Sequence, residues 1–198
     1  MITLPDYALV QTASPIYINY GGVQESSLGG ETQQYNTPGN RFGLSVQLVP
    51  LSVDEARVVV ARLIRAKQDK LRIAWPLQQS QGSPGAALAV NGAVTAATTS
   101  LPVDGGTPGY LAKEGYWLSI EAASGQHYMH QLASNVSLNG SGAGTLSVHP
   151  AMRFPFADGA RVHLARPMIE GYVVGDDMQW QLSADRFIPL EFEIRESR

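Results

Sequence analysis

There is no cysteine in this chain of 198 residues, which leaves neither a disulfide scaffold nor a thiolate zinc site available to it. That composition is compatible with assembly in a reducing cytoplasm. No apolar run approaches the roughly 18 residues of a membrane-spanning helix, so no membrane span is expected. Residues Met1 to Val10 include Pro5 and Asp6 and hold neither a basic stretch nor a long apolar run, so no secretory signal is expected either. A basic excess is missing too: 14 Lys and Arg against 17 Asp and Glu give a net charge of −3. Electrostatic capture of nucleic acid is therefore not indicated, although an acidic interior past which DNA slides is compatible with it.

Charge is scarcest in the middle. The 88 residues from Gln78 to Ala165 carry 7 charges and the remaining 110 carry 24, so a Gly/Ala-rich segment is set between two more charged flanks. In the first flank, Ile16, Ile18 and Tyr20 alternate with Tyr17 and Asn19, which predicts a short half-buried strand after Pro15. Gly21 to Asn40 reads as a long polar loop, either a functional or ordering loop or a mobile surface connection. Phe42, Leu44, Val46 and Leu48 alternate cleanly and predict a strand. The period then switches. Ser52 and Glu55 form an S-x-x-E capping box, and Ala56, Val59, Val60, Leu63 and Ile64 follow at helical spacing, predicting an amphipathic helix that lies on a sheet. Ser52 to Arg72 holds 6 basic and 3 acidic residues, a surplus read as a solvated helix face before a surface for an acidic partner. Leu71, Ile73 and Trp75 give another strand, closed by Pro76.

Between the flanks, turn signals punctuate short strands. Asn91-Gly92 predicts a two-residue hairpin from Ala87–Val90 into the segment after it. Further turns at Asp104-Gly105-Gly106, Ala123-Ser124-Gly125, Asn139-Gly140 and Asp158-Gly159 separate strands at 116–120, 126–132, 145–149 and 161–165. The second flank returns to alternation in Met178, Trp180 and Leu182 and in Ile188, Leu190, Phe192 and Ile194, where Pro189 suggests an edge or a bulge. Neither flank alone has the elements of a stable domain. The expected fold is mainly β with one helix: a β-sandwich assembly domain packed by an α-helix, built from residues 1–77 and 166–198. A small OB-like or SH3-like β-barrel, residues 78–165, interrupts it.

Catalytic and metal-binding patterns are scarce. The histidines are His127, His130, His149 and His163; a spacing of three on a strand turns His127 and His130 to opposite faces, so those two share no metal. Asp176-Asp177 reads as a turn and Glu191/Glu193 as an outer strand face, and neither pair is placed to flank a cleft. Gly140 to Gly144 precedes a strand rather than a helix, which favours a hairpin turn over a phosphate cradle. Tyr110, Tyr116, Trp117 and Tyr128 are read as core and rim packing before any sugar- or base-stacking platform. No catalysis, cofactor or metal is expected.

Several phrases carry a resemblance. Gly39-Asn40-Arg41-Phe42-x-Leu44-Ser45, leading through Pro50 into a capped helix and then Trp75-Pro76, resembles the opening of tail proteins from long-tailed, siphovirus-like bacteriophages. Ala89-Val90-Asn91-Gly92, Leu101-Pro102-Val103-Asp104-Gly105, Gly144-Thr145-Leu146-Ser147-Val148-His149-Pro150 and Asp158-Gly159-Ala160-Arg161-Val162 are similar to a β insertion in such proteins. A strand-helix-strand base with an OB-like insertion looks most like the distal tail protein. That resemblance implies a virion structural protein at the tail tip: a hexameric ring joining the tail tube to the tail hub, near the tape-measure protein, with a channel for DNA in transit. The extra module is internal here, not a long C-terminal carbohydrate-binding domain, which puts host-sugar binding in doubt. A carbohydrate-binding tail module using Trp117, and a wall hydrolase using paired acids, are the competing readings. A ring requires unlike patches to meet. Gln24, Glu25, Gln33, Gln34 and Tyr35 in the long loop, and the edge near Pro189, are the expected contacts.

Overall fold

In the computed structural model the described residues are 1–25, 29–35, 39–175, 180 and 187–197. The first flank contains β1 (Ile2–Thr3), β2 (Val10–Ile18), β3 (Gly22–Gln24), β4 (Gln33–Tyr35), β5 (Arg41–Leu48), β6 (Leu51–Ser52), α1 (Val53–Arg65) and β7 (Leu71–Ala74). The middle contributes β8 (Ala89–Val90), β9 (Ser100–Asp104), β10 (Leu111–Ala112), β11 (Trp117–Glu121), β12 (His127–Leu132), β13 (Val136–Ser137), β14 (Gly144–His149) and β15 (Val162–His163). The second flank adds β16 (Met168–Val173), β17 (Phe187–Ile188) and β18 (Glu191–Glu196). The protein is mainly β, with one helix among the described residues.

One six-stranded sheet has the order β1-β7-β16-β18-β5-β2, so two strands of the second flank lie between strands of the first. Alternation builds it: Phe42, Leu44, Val46 and Leu48 of β5 are buried, as are Phe192 and Ile194 on the neighbouring β18. Helix α1 starts where Glu55 Oε2 accepts from the Ser52 backbone N–H at 3.0 Å and from its hydroxyl at 2.6 Å. It buries Ala56, Val59, Val60 and Leu63 in the same core; each larger aliphatic contributes about 1.5–3 kcal/mol by leaving water. Ile64, expected in that stripe, is exposed, because it sits about a quarter-turn from the stripe's centre.

The other six-stranded sheet has the order β15-β11-β12-β14-β9-β8. Its outer strands also meet, through the Ala89–Arg161 bridge and the bonds Val90 N–H to Ala160 O (2.9 Å) and Val162 N–H to Leu88 O (3.0 Å). Strand alternation divides β11 and β12 between two cores. Leu118, Ile120, Tyr128 and Leu132 pack in a core made by the middle segment, whereas Met129 is buried in the core of the flanks and Trp117 packs against it.

The two sheets are joined by a largely buried polar seam. β14 pairs β12 only at Gln131 and Leu132, which leaves the N–H groups of His127 and Met129 without a strand partner on that side. Two carboxylates take the place of the missing strand: Glu170 Oε2 accepts from His127 at 3.3 Å and Glu196 Oε1 from Met129 at 2.6 Å. Glu196 Oε2 also accepts from Phe42 N–H of β5 at 2.9 Å. Arg72 pairs with Glu170 at 2.8 Å and Arg153 with Glu196 at 2.9 Å. Beside them, Trp117 packs edge-on to Phe42 (4.9 Å between centroids) and lies 4.5 Å from Trp75.

Several expectations are corrected. Strand β2 starts before Pro15 and stops short of Tyr20, since proline fits an outer strand whose N–H side is open. Asn91-Gly92 does not close a two-residue hairpin: β8 pairs with β9, Ala89 facing Asp104, because Val94 bridges to Phe156. Pro189 does not lie within one continuous strand, but directly follows β17, an edge strand of a two-stranded sheet. It separates β17, which pairs β6, from β18, which lies between β16 and β5. The alternation of Met178 and Leu182 falls outside the described residues, as does Asp176-Asp177.

Candidate functional site

Strand β2 pairs with β5 on one side, and among the described residues no strand covers its other side. None of its nine residues is buried. A strand of this length with open N–H and C=O groups is a template for pairing with another chain. The blunting is partial: Pro15 lacks an N–H, and the register shifts between Val10 and Thr12. In the other large sheet the outer strands meet each other, so β2 is the long open edge among the described residues.

The chain leaves β2 through a tied turn. Asn40 Oδ1 accepts from Tyr20 N–H at 2.6 Å, Asn40 Nδ2 donates to the Tyr17 hydroxyl at 3.0 Å, and the Arg41 guanidinium stands 4.8 Å over the Tyr20 ring. Where a polar loop was expected there is a short hairpin arm, with Gly22 facing Tyr35, Val23 facing Gln34 and Gln24 facing Gln33. A β-carbon at residue 22 would overlap the Tyr35 ring, so glycine there lets the tyrosine lie across the arm. The structure thus brings Gln24, Gln33, Gln34 and Tyr35 into one hairpin, with Glu25 directly after its first strand. Apolar surface concentrates here. Of 17 exposed large apolar side chains among the described residues, 8 lie in the first 35 positions, including Leu9, Tyr17, Tyr20, Val23 and Tyr35.

A groove of about 590 Å³ beside the same strand is lined by Val10, Ala13 and Pro15 together with Trp75, Gln78 and Trp117. It joins the open edge to the root of the middle segment. No protein-family model matches this chain, and no curated protein matches it in sequence. The site is therefore read from its own geometry.

The remaining candidates occupy other roles. Trp117 is held in the seam, its backbone N–H bonded to Gln81 Oε1 and its carbonyl to Gln81 Nε2, both at 2.6 Å. Tyr128 is buried, and the Tyr110 hydroxyl donates to the Gln81 carbonyl. Burial, with Tyr116 nearby, pushes Tyr110 up to about 12. In the Gly140–Gly144 turn, Asn139 Oδ1 accepts from the N–H groups of Ser141 and Ala143 at 2.9 and 3.0 Å, which turns them inward rather than toward an anion. Glu193 accepts from Arg195 Nε at 2.6 Å on an outward face. The basic surplus after Ser52 is engaged within the chain: Arg62 donates to Thr3 O, Lys67 to Gly175 O, Lys70 to Gln126 and Arg72 to Glu170.

His127 and His130 do face opposite sides of β12. His130 is buried in the middle segment with Nδ1 2.9 Å from Pro150 O. His127 is buried toward the seam, its ring centroid 5.0 Å from that of His163. Burial, then Arg72 and His163, hold His127 down at about 4.

Proposed function

We propose that this chain is a structural subunit of a phage tail tip, of the distal tail protein type. Residues 1–77 with 166–198 form a β-sandwich assembly domain packed by α1, and residues 78–165 form an inserted small barrel, OB-like or SH3-like, that projects from it. Copies assemble into a ring, six by family resemblance, between the tail tube and the hub, leaving a channel for DNA. The chain acts as a joint and carries out no turnover.

The observation that carries this reading is the open β2 edge, continuous with an exposed hairpin arm and bordered by Tyr17, Tyr20, Val23 and Tyr35. A ring builds on an unlike patch of the neighbour, and an open edge with apolar side chains offers main-chain hydrogen bonds and buried area together. The barrel reading rests on the contacts that join β8 to β15, which remove the edges of the second sheet. The tail assignment rests on the sequence phrases that resemble tail proteins of long-tailed phages, and the distal tail type on the likeness of a strand-helix-strand base with an inserted β module.

Deleting Gln24 to Tyr35 tests the interface. The full chain is expected to form a discrete oligomer, alone or on adding tail components, and to support tail joining. The deletion variant is expected to melt within a few degrees of the full chain yet run as a monomer and fail to join tails. An unchanged oligomer with normal joining would remove the arm from the interface.

A further inference from the structure

The pairing register places four polar side chains on one face of three adjacent strands. Glu121 of β11 is directly opposite His127 of β12, and Ser119 of β11 is directly opposite His163 of β15. Ser119 and Glu121 are two apart on their strand, so all four share a face. His163 Nε2 lies 3.0 Å from Glu121 Oε2, and one ligand atom each from Glu121, His127 and His163 fall within 4.8 Å of one another. We propose that Glu121, His127 and His163 bind a first-row divalent transition metal, with Zn²⁺ the reference ion.

The donor set suits that class. Two imidazoles and one carboxylate select zinc, cobalt, nickel or copper over calcium and magnesium, which take oxygen ligands. Closing the three atoms to metal-bond length of about 2.0–2.1 Å requires a small rotation of side chains. His163 and Glu121 are about a third exposed, which leaves them room to rotate. The supporting residues are in place as well. Ser119 Oγ lies 3.3 Å from His127 Nδ1 and accepts from Met168 N–H at 3.0 Å; with Nδ1–H donating to that hydroxyl, Nε2 would be the ligating nitrogen. The nearby Arg72 guanidinium would repel a cation if it stood alone, but Glu170 at 2.8 Å offsets its charge. With neutral imidazoles, the acidic pair Glu121 and Glu170 against Arg72 leaves one negative charge to face the ion. The solvent side stays open for water or a partner's ligand. The metal ties the outer strand β15 to β11 and β12 beside the seam, clipping the return of the middle segment onto the flanks.

The test uses untagged full-length protein freed of metal with a chelator, titrated with Zn²⁺ by calorimetry and with Co²⁺ by visible absorption. The wild type is expected to take up one equivalent of Zn²⁺ with micromolar or tighter affinity and to give Co²⁺ ligand-field bands. His163→Ala and Glu121→Gln are each expected to weaken binding about tenfold or more, while His149→Ala, an exposed histidine outside the cluster, leaves it unchanged. Melting of the metal-free variants at the wild-type temperature shows that they fold. A wild type that takes up no Zn²⁺ at millimolar concentration overturns the proposal. So does uptake that His163→Ala and Glu121→Gln leave unchanged, because the cluster is then an ordinary His–Glu ion pair.

Discussion

Glu196→Ala is expected to destabilise the protein by about 3–5 kcal/mol, the cost of breaking one side of a buried ion pair. Its carboxylate is fully buried, accepts from Met129 N–H and Phe42 N–H, and forms an ion pair at 2.9 Å with Arg153, whose side chain is only 6% exposed. Burial pushes the Glu196 carboxyl up, while Arg153 and the two backbone donors pull it back toward the ionised form. Alanine leaves a buried cation and two backbone donors unanswered at the junction of both sheets. At the 2–4 °C per kcal/mol of a domain this size, the melting temperature falls by roughly 10 °C. Glu196→Gln keeps the shape but sets an amide N–H₂ against donors, so it is expected to lose most of the same stability. Adding Arg153→Met to Glu196→Gln should recover part of it, with a coupling of about 1 kcal/mol or more. Thermal and urea unfolding of wild type, Glu196→Ala, Glu196→Gln, Arg153→Met and the double variant measures this. A Glu196→Ala variant within about 0.5 kcal/mol of wild type would remove Glu196 as a fastener of the seam.

Acid is expected to loosen the middle segment through His130. Burial, assisted by Arg153, depresses this imidazole to about 4 against the pull of the Pro150 carbonyl, from an ordinary value of 6.5. The folded state therefore holds the ring neutral over a range in which the unfolded chain takes up a proton. Stability from this group is fully present above pH 6.5 and is lost as pH falls toward 4; at pH 5 the loss is about 2 kcal/mol. Urea unfolding at pH 7 and pH 5 measures the slope. His130→Met removes the titrating group, so its stability should fall by about 2 kcal/mol less over the same interval. Equal slopes in the two proteins would show that His130 is not kept neutral by folding.

The sequence showed some of this more clearly than the rest, for physical reasons. β5 and α1 were legible because each buries one face against a single core, so the period of two in Phe42–Leu48 and the helical spacing in Ala56–Leu63 survive in the order of residues. The buried apolar residues from Leu88 to Leu164 fall into a core of their own apart from Met129, inside the charge-poor segment that composition marks. Glu196 was not singled out, although it occupies the next inward position after Phe192 and Ile194. Alternation marks that position, but only the packed structure supplies the backbone donors a buried acid needs there. The pairing of β8 with β9 was hidden because Asn91-Gly92 has the chemistry of a tight hairpin, whereas Phe156, far along the chain, takes Val94. The hairpin arm was hidden for a similar reason: its polar composition reads as loop, while Gly22 makes room for Tyr35 across the pair. The Glu121–His127–His163 cluster joins residues on three strands, and no spacing along the chain marks which strands become neighbours.

Electron microscopy of the purified wild-type protein, alone and mixed with tail-tube and hub components, tests the assembly reading most directly. The prediction is a closed ring with a central channel, sixfold if the resemblance to distal tail proteins holds, and with the open β2 edge of each copy covered by its neighbour. Particles that stay single in both preparations, or a ring in which β2 and the Gly22–Tyr35 arm face solvent, would contradict it.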